Sequence, residues 1–455
     1  MDSYKQSHKT RFPGVFTLFF ILLTLVPLKT VMGQETTTEE SLFNALYDEK
    51  YQDALSLMKK SFNANYSNDE NKSLLMVSAQ RNFTDICKQL LDKGAQINQQ
   101  DSAGNTALHY AVKDGHYTTV KLLLERGANV SVVNSDGICP LTQAAYDGET
   151  DIVGQLIEHG ADAEQITSLK VTPLIATCLK GHTETASLLI EKGASGNKAG
   201  NEGITPLMAG CYSGNQELVN LLLEKGASTD AVSEKGCNVL MSAAEGGLTS
   251  FVKTLLANGA PLEGADSSGF TPLIYAALDG RTETLNFLID RGADMSHQDN
   301  DGNTALIYAC EGGYPETVAL LIDKGALPDL QSEYAELCLV YAAMNGSKEV
   351  TQLLLDKGVP ADMPYSKGNT ALLMAADQGE TETAQLLIDR GADVDHENED
   401  GSTPLIQAAY KGDWDMVELL LNAGADPEKM NKNGNVASDF TEDEDILDLL
   451  EEYHF

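Results

Sequence analysis

The sequence predicts an all-α solenoid of about twelve helix-turn-helix repeats joined by β-hairpin fingers, and three observations carry that prediction. Near-identical phrases recur at multiples of 33 residues: Leu123-Leu124-Glu125-Arg126-Gly127-Ala128, Leu189-Ile190-Glu191-Lys192-Gly193-Ala194 and Leu288-Ile289-Asp290-Arg291-Gly292-Ala293. Repeats open at positions 73, 106, 139, 172, 205, 238, 271, 304, 337, 370 and 403 with no insertion, and a looser block from Glu40 fits the same frame. Glycine closes nearly every repeat at one place, from Gly94 to Gly424. A chain that keeps such register is a stack in which each repeat buries its apolar face against its neighbours, so 455 residues form one array rather than two or three globules.

Each element follows from local chemistry. Thr205 suits a helix N-cap and Pro206 the first helical position, where its missing N–H is not needed. The same pair recurs at Thr172, Thr271 and Thr403, each before a short helix of small and apolar residues. In the second helix Val120, Leu123 and Leu124 stand at i, i+3 and i+4, a stripe that faces the core. Thr150, Thr183, Thr249, Thr282 and Thr381 stand where this helix begins and are expected to cap it. The closing glycine allows the left-handed C-cap, with Ser61 of the first repeat as the departure. Asp136-Gly137, Asp301-Gly302, Asp400-Gly401 and Asn433-Gly434 then mark the tight turns of the fingers. Leu169-Lys170 and Tyr334-Ala335 lack the turn glycine. The polar first repeat (Asn63, Asn65, Ser67, Asn68, Asp69) reads as one end cap. A last helix within residues 436–455, with Thr441 and Glu444 as its capping box, reads as the other.

Helix, turn, helix and finger at 33 residues, with Thr-Pro-Leu opening and Gly-Ala closing, resembles the ankyrin repeat over residues 40–435. The resemblance implies a non-enzymatic protein-binding scaffold whose contacts run along the fingers and first helices. It also implies a histidine after the opening triplet that bridges repeats by hydrogen bonds. This sequence has that histidine only in Thr106-Ala107-Leu108-His109. Ile175, Met208, Ile274, Ile307, Leu373 and Ile406 replace it elsewhere, so apolar packing is expected to take over.

Lys5, Lys9 and Arg11 precede an apolar run, Phe16 to Leu28, and then Val31-Met32-Gly33. Residues 1–33 therefore read as a cleaved export signal, followed by a short polar linker, 34–39. The run is shorter than the roughly 20 residues of a spanning helix, so an uncleaved membrane anchor is the alternative reading. The protein is expected to be exported (secreted, or periplasmic in a bacterium), and to meet a membrane only if this segment is retained. The formal net charge is −37, which argues against nucleic acid or anionic lipid as partner. Seven cysteines are expected to be buried hydrophobes rather than a disulfide framework. Cys178 and Cys211 share one place in successive repeats, and stacked helices lie roughly 8–10 Å apart, beyond bridging distance. Five Asn-x-Ser/Thr triplets, at Asn65, Asn71, Asn82, Asn129 and Asn345, are acceptors for glycans in an exported eukaryotic protein.

No catalytic, cofactor or metal motif appears: there is no P-loop, HExxH or Gly-x-Ser-x-Gly. Candidate contact residues come from comparing equivalent positions along the array. The last position of the repeat, at the base of the finger, is apolar five times in succession: Ile138, Val171, Ile204, Cys237 and Phe270. The eighth position of the repeats that follow adds Tyr146, Leu179, Tyr212 and Leu278, with Tyr275 nearby. Together these predict an apolar strip of about 30–40 Å, long enough for an extended peptide of about ten residues. Packing of the fingers on their neighbours is the alternative explanation of the same residues. The function predicted is binding of a protein or extended peptide along this face.

Overall fold

The structure, a computed structural model, describes residues 37–327 and 332–453. The export signal expected at 1–33 and residues 34–36 of the linker lie outside the described residues. Within them are 25 α-helices, paired into roughly twelve repeats. The chain divides at Glu234 and Lys235 into two compact bodies. Within each body, first helices pack on first helices of the next repeat and second helices on second helices. In the first body Pro140–Asp147 meets Pro173–Lys180, which meets Pro206–Tyr212. In the second body Val239–Glu245, Pro272–Leu278 and Ala305–Glu311 follow the same rule.

The local expectations hold where backbone rules alone decide. The Thr172, Thr205, Thr271 and Thr403 hydroxyls accept from the N–H groups of Ile175, Met208, Ile274 and Ile406 at 3.2–3.4 Å. Proline follows each of these caps at the first helical position. The glycines after the second helices have φ between +84° at Gly94 and +102° at Gly193. A Cβ added at Gly292 would touch nothing within 4 Å, so the demand for glycine there is purely conformational and worth roughly 1–2 kcal/mol. The core is the expected stripe: Val120, Leu123 and Leu124 are buried, as are Leu218, Val219 and Leu222 three repeats further on.

Four expectations need correction. Thr150, Thr183, Thr249, Thr282 and Thr381 are the first helical residues rather than caps; the capping positions are Glu149, His182, Leu248, Arg281 and Glu380. Three of these threonines instead reach the following repeat, as Thr150–Thr185, Thr249–Thr284 and Thr282–Thr317 hydroxyl pairs at 2.7–2.8 Å. The first helix of the array runs Thr38–Tyr47, capped by Thr37, and so begins inside the segment expected to be linker. The last helix, Glu444–Glu452, is capped by the Asp443 carboxylate, and Thr441 only accepts the Asp443 N–H at 3.1 Å. The fourth correction concerns the fingers, which contain no β-strand among the described residues. Most are turns closed by one backbone bond across five residues, such as Asn134 N–H to the Ile138 carbonyl at 3.0 Å. Several tips are tied to the preceding finger by one further bond, such as Ser135 N–H to the Ala103 carbonyl at 2.8 Å. So few bonds do not make a ladder.

The glycine-poor turns behave differently from each other. Lys170 adopts the left-handed backbone that glycine takes elsewhere, with φ +55°. Its carbonyl then lies 2.5 Å from where a Cβ on Gly200 would sit, which explains why glycine starts the next finger. At Tyr334-Ala335 there is no turn: the first helix extends back through both residues as Glu333–Met344, with Ser332 as its cap. Seven cysteines are free, and six are buried. Burial pushes Cys87 up to about 12 and Cys237 to about 11, and raises Cys178 and Cys310 as well, with the neighbouring Cys338 thiol adding to the rise at Cys310. The folded chain therefore holds protons that the unfolded chain releases above about pH 9. Stability should be full below that pH and fall as pH rises toward 12. Urea midpoints measured between pH 8 and 10.5 should decline, and less steeply in Cys87→Ala/Cys178→Ala; a flat profile would refute the assignment.

Candidate protein-binding surface

Six of the fingers are organised by one side chain each. The residue that opens the turn accepts two backbone N–H groups on a single oxygen. Asp101 Oδ1 takes those of Ala103 and Asn105 at 3.0 and 2.8 Å, and Asn134 Oδ1 those of Asp136 and Ile138 at 3.1 and 2.9 Å. Asp266, Asp299, Asn398 and Asn431 repeat the arrangement. In three repeats a tyrosine of the first helix adds a bond to the second carboxylate oxygen. Tyr110 donates to Asp101 at 2.6 Å, Tyr275 to Asp266 at 2.9 Å, and Tyr308 to Asp299. These Asx residues escaped the sequence reading, although Asn or Asp recurring at multiples of 33 residues, at 101, 134, 266, 299, 398 and 431, was a readable signal.

This geometry decides the fate of the predicted strip. Ile138, Val171, Leu179, Phe270 and Tyr275 are buried, with exposures of 3–8 %, and so serve packing rather than contact. Phe270 lies between two tyrosine rings, with centroids 5.9 Å from Tyr275 and 5.3 Å from Tyr308. The Ile138 carbonyl meets His109 Nε2 at 3.2 Å, while the Thr106 N–H donates to Nδ1 at 3.2 Å. The bridge implied by the opening histidine thus exists at His109, whose pKa burial lowers. The other five members, Tyr146, Ile204, Tyr212, Cys237 and Leu278, are half-buried and keep part of their surface open. Lys180 Nζ sits 4.7 Å from the centre of the Tyr146 ring. The six residues of the strip before Glu234 belong to the first body and Cys237, Phe270, Tyr275 and Leu278 to the second.

Further polar side chains tie neighbours together within each body. His116 Nε2 meets the Gln80 carbonyl at 2.9 Å, His182 Nε2 that of Tyr146 at 3.1 Å, and the Arg281 guanidinium donates to that of Glu245 at 2.8 Å. Ion pairs recur at the end of the second helix, as Arg126–Asp92 at 2.9 Å, Lys324–Asp290 at 2.7 Å and Arg390–Asp356 at 2.7 Å. The amides of Asn65, Asn71 and Asn345, three of the Asn-x-Ser/Thr asparagines, donate to backbone carbonyls about one repeat away. Among the described residues, no group of three His, Cys, Asp or Glu side chains is placed to hold a metal ion, and no helix is long and apolar enough to cross a membrane.

The paired helices and linked fingers define a helical-repeat protein whose polar ties are spent on its own neighbours. The family description "Ankyrin repeats (3 copies)" matches residues 42–134, 141–233, 226–299, 283–363 and 339–431. The chain belongs to the ankyrin-repeat family. No curated protein matches it.

The two sets of strip residues should separate on mutation. Phe270→Ala should cost about 3–5 kcal/mol, because it empties a filled space between two tyrosines. Tyr212→Ala, which removes a side chain that is partly in water already, should cost less than about 1.5 kcal/mol. Equal losses in urea denaturation would overturn the division.

Proposed function

We propose that the chain is a non-enzymatic scaffold that binds a protein through an extended segment laid along its fingers and first-helix ends. Tyr146, Ile204 and Tyr212, all of the first body, are the contact residues. The observation that carries this reading is the contrast between positions at the same height in the repeat. Leu179 at the eighth position is closed off by packing, whereas Tyr146 and Tyr212, one repeat to either side, retain exposed surface. Tyrosines in such settings make good anchors, since each offers a large rigid face and a hydroxyl at little entropic cost. The family supports the general reading, because ankyrin repeats generally bind proteins. The net charge of −37 favours a basic partner, whose association should slow as salt rises.

The triple variant Tyr146→Ala/Ile204→Ala/Tyr212→Ala should lose at least tenfold in partner capture while keeping its far-ultraviolet circular dichroism. Undiminished capture would sink this assignment. Residues 1–33 are proposed as a cleaved export signal on the strength of their basic start, short apolar run and small terminal residues. N-terminal sequencing of the protein from expressing cells should begin near Gln34. An intact Met1 would overturn cleavage and favour a membrane-tethered scaffold.

A further inference from the structure

Seven large hydrophobic side chains are exposed among the described residues, and four of them, Val133, Ile166, Val232 and Met430, occupy one position of the repeat. That position immediately precedes the residue that opens the finger turn. In the first body it is apolar and exposed in four consecutive repeats: Val133 is 43 % exposed, Ile166 45 %, Val232 60 %, and Ala199 is exposed between them. Scattered surface hydrophobics are ordinary, but a row kept in register at 33-residue intervals is not scatter. The row ends at the preceding repeat, where Gln100 takes the position and turns its amide onto the carbonyls of Val133 at 3.2 Å and Gly104 at 2.8 Å.

The surroundings of the row are acidic. Lys198 is paired with Glu164 at 2.9 Å. The other charged side chains within four residues of the row positions are Asp136, Asp162, Glu202, Asp230 and Glu234 against Lys170 and Lys235. Stacked helical repeats place equivalent residues roughly 8–10 Å apart. A β-strand shows side chains on one face every second residue, at about 6.6–6.8 Å, and so drifts out of step with the row. A polyproline-II segment has three residues per turn and a rise of about 3.1 Å, so every third residue returns to the same face after about 9.3 Å. Nine rises from its first to its fourth apolar side chain span about 28 Å, close to the three steps from Val133 to Val232.

We propose that Val133, Ile166, Ala199 and Val232 dock a polyproline-II segment of a partner protein that carries an apolar side chain at every third residue and basic residues between. The proposal rests on the reading of the chain as a protein-binding scaffold and names the partner's chemistry. The apolar side chains pack on the row, and the basic ones meet the carboxylates beside it. Alanine at the third place leaves room for the largest apolar side chain of the segment. A preformed polyproline-II backbone also loses little entropy on docking.

The test uses the full chain and three synthetic twelve-residue peptides, followed by fluorescence anisotropy. They are four copies of Leu-Pro-Lys, the same composition with the leucine period scrambled, and four copies of Leu-Pro-Glu. The first should bind at least tenfold more tightly than the second, and the third should not bind. Val133→Asp/Ile166→Asp/Val232→Asp should weaken the first peptide at least tenfold, even though its added charge attracts lysine; the corresponding serine triple should do the same with the circular dichroism unchanged. Equal binding of the first two peptides would reduce the effect to charge and overturn the proposal. So would binding that survives both row variants, or self-association of the chain that these variants abolish. Loss of the peptide in Tyr146→Ala/Ile204→Ala/Tyr212→Ala alone would discard the row and leave the scaffold reading standing. Failure of the peptides beside continued capture of a natural partner would do the same.

Discussion

Burial of each repeat's apolar stripe against the repeats before and after it is the constraint from which the other features follow. Leu218, Val219 and Leu222 of one second helix are all fully buried, yet a single pair of short helices has no interior of its own. At about 1.5–3 kcal/mol for each large side chain, stripes of this kind outweigh any polar tie in the molecule. They also set the demand for glycine after the second helix. The chain must turn out of that helix at a fixed place so that the next stripe arrives in register, and the left-handed backbone at positions such as Gly292 makes that turn.

Polar interactions between neighbours fix orientation more than they add stability. One repeat has the histidine bridge, at His109, and the others use different groups for the same purpose. Threonine pairs such as Thr249–Thr284 are worth about 1 kcal/mol each in a buried setting. The ion pairs along the second-helix ends are half exposed, and pairs of that kind contribute about 0–1 kcal/mol. Apolar packing by Ile175, Met208 and Ile274, all buried, takes the space that the histidine ring fills once. The array thus tolerates loss of its family's most characteristic polar link because that link was never the main source of cohesion.

The excess of acid over base is compatible with this economy. Its local pairs, such as Lys324–Asp290, neutralise the neighbouring second-helix ends. Fingers in the first body keep acidic residues beside the exposed Val133, Ile166, Ala199 and Val232. Charge therefore collects where packing has no use for it. An apolar row with a charged margin is a surface that discriminates among partners by sign as well as by shape.

The period, the Thr-Pro caps and the closing glycines were fixed by sequence alone, because each depends on the backbone of a few adjacent residues. Sequence placed Tyr146 and Tyr212 at the end of the first helix and Ile204 at the base of a finger, and the structure leaves all three half-buried. Sequence could not say that Ile138, Val171, Leu179, Phe270 and Tyr275 turn inward. Nor could it say that Thr150 bonds to Thr185 instead of capping its own helix, or that Asp443 rather than Thr441 caps the last one. Thr150 and Thr185 stand about one repeat apart, and only the tertiary structure brings them together; the Asp443 cap is local, and backbone geometry chose it over Thr441. The row at Val133 has the same lesson in reverse: only the fold shows that these apolar side chains stand in water.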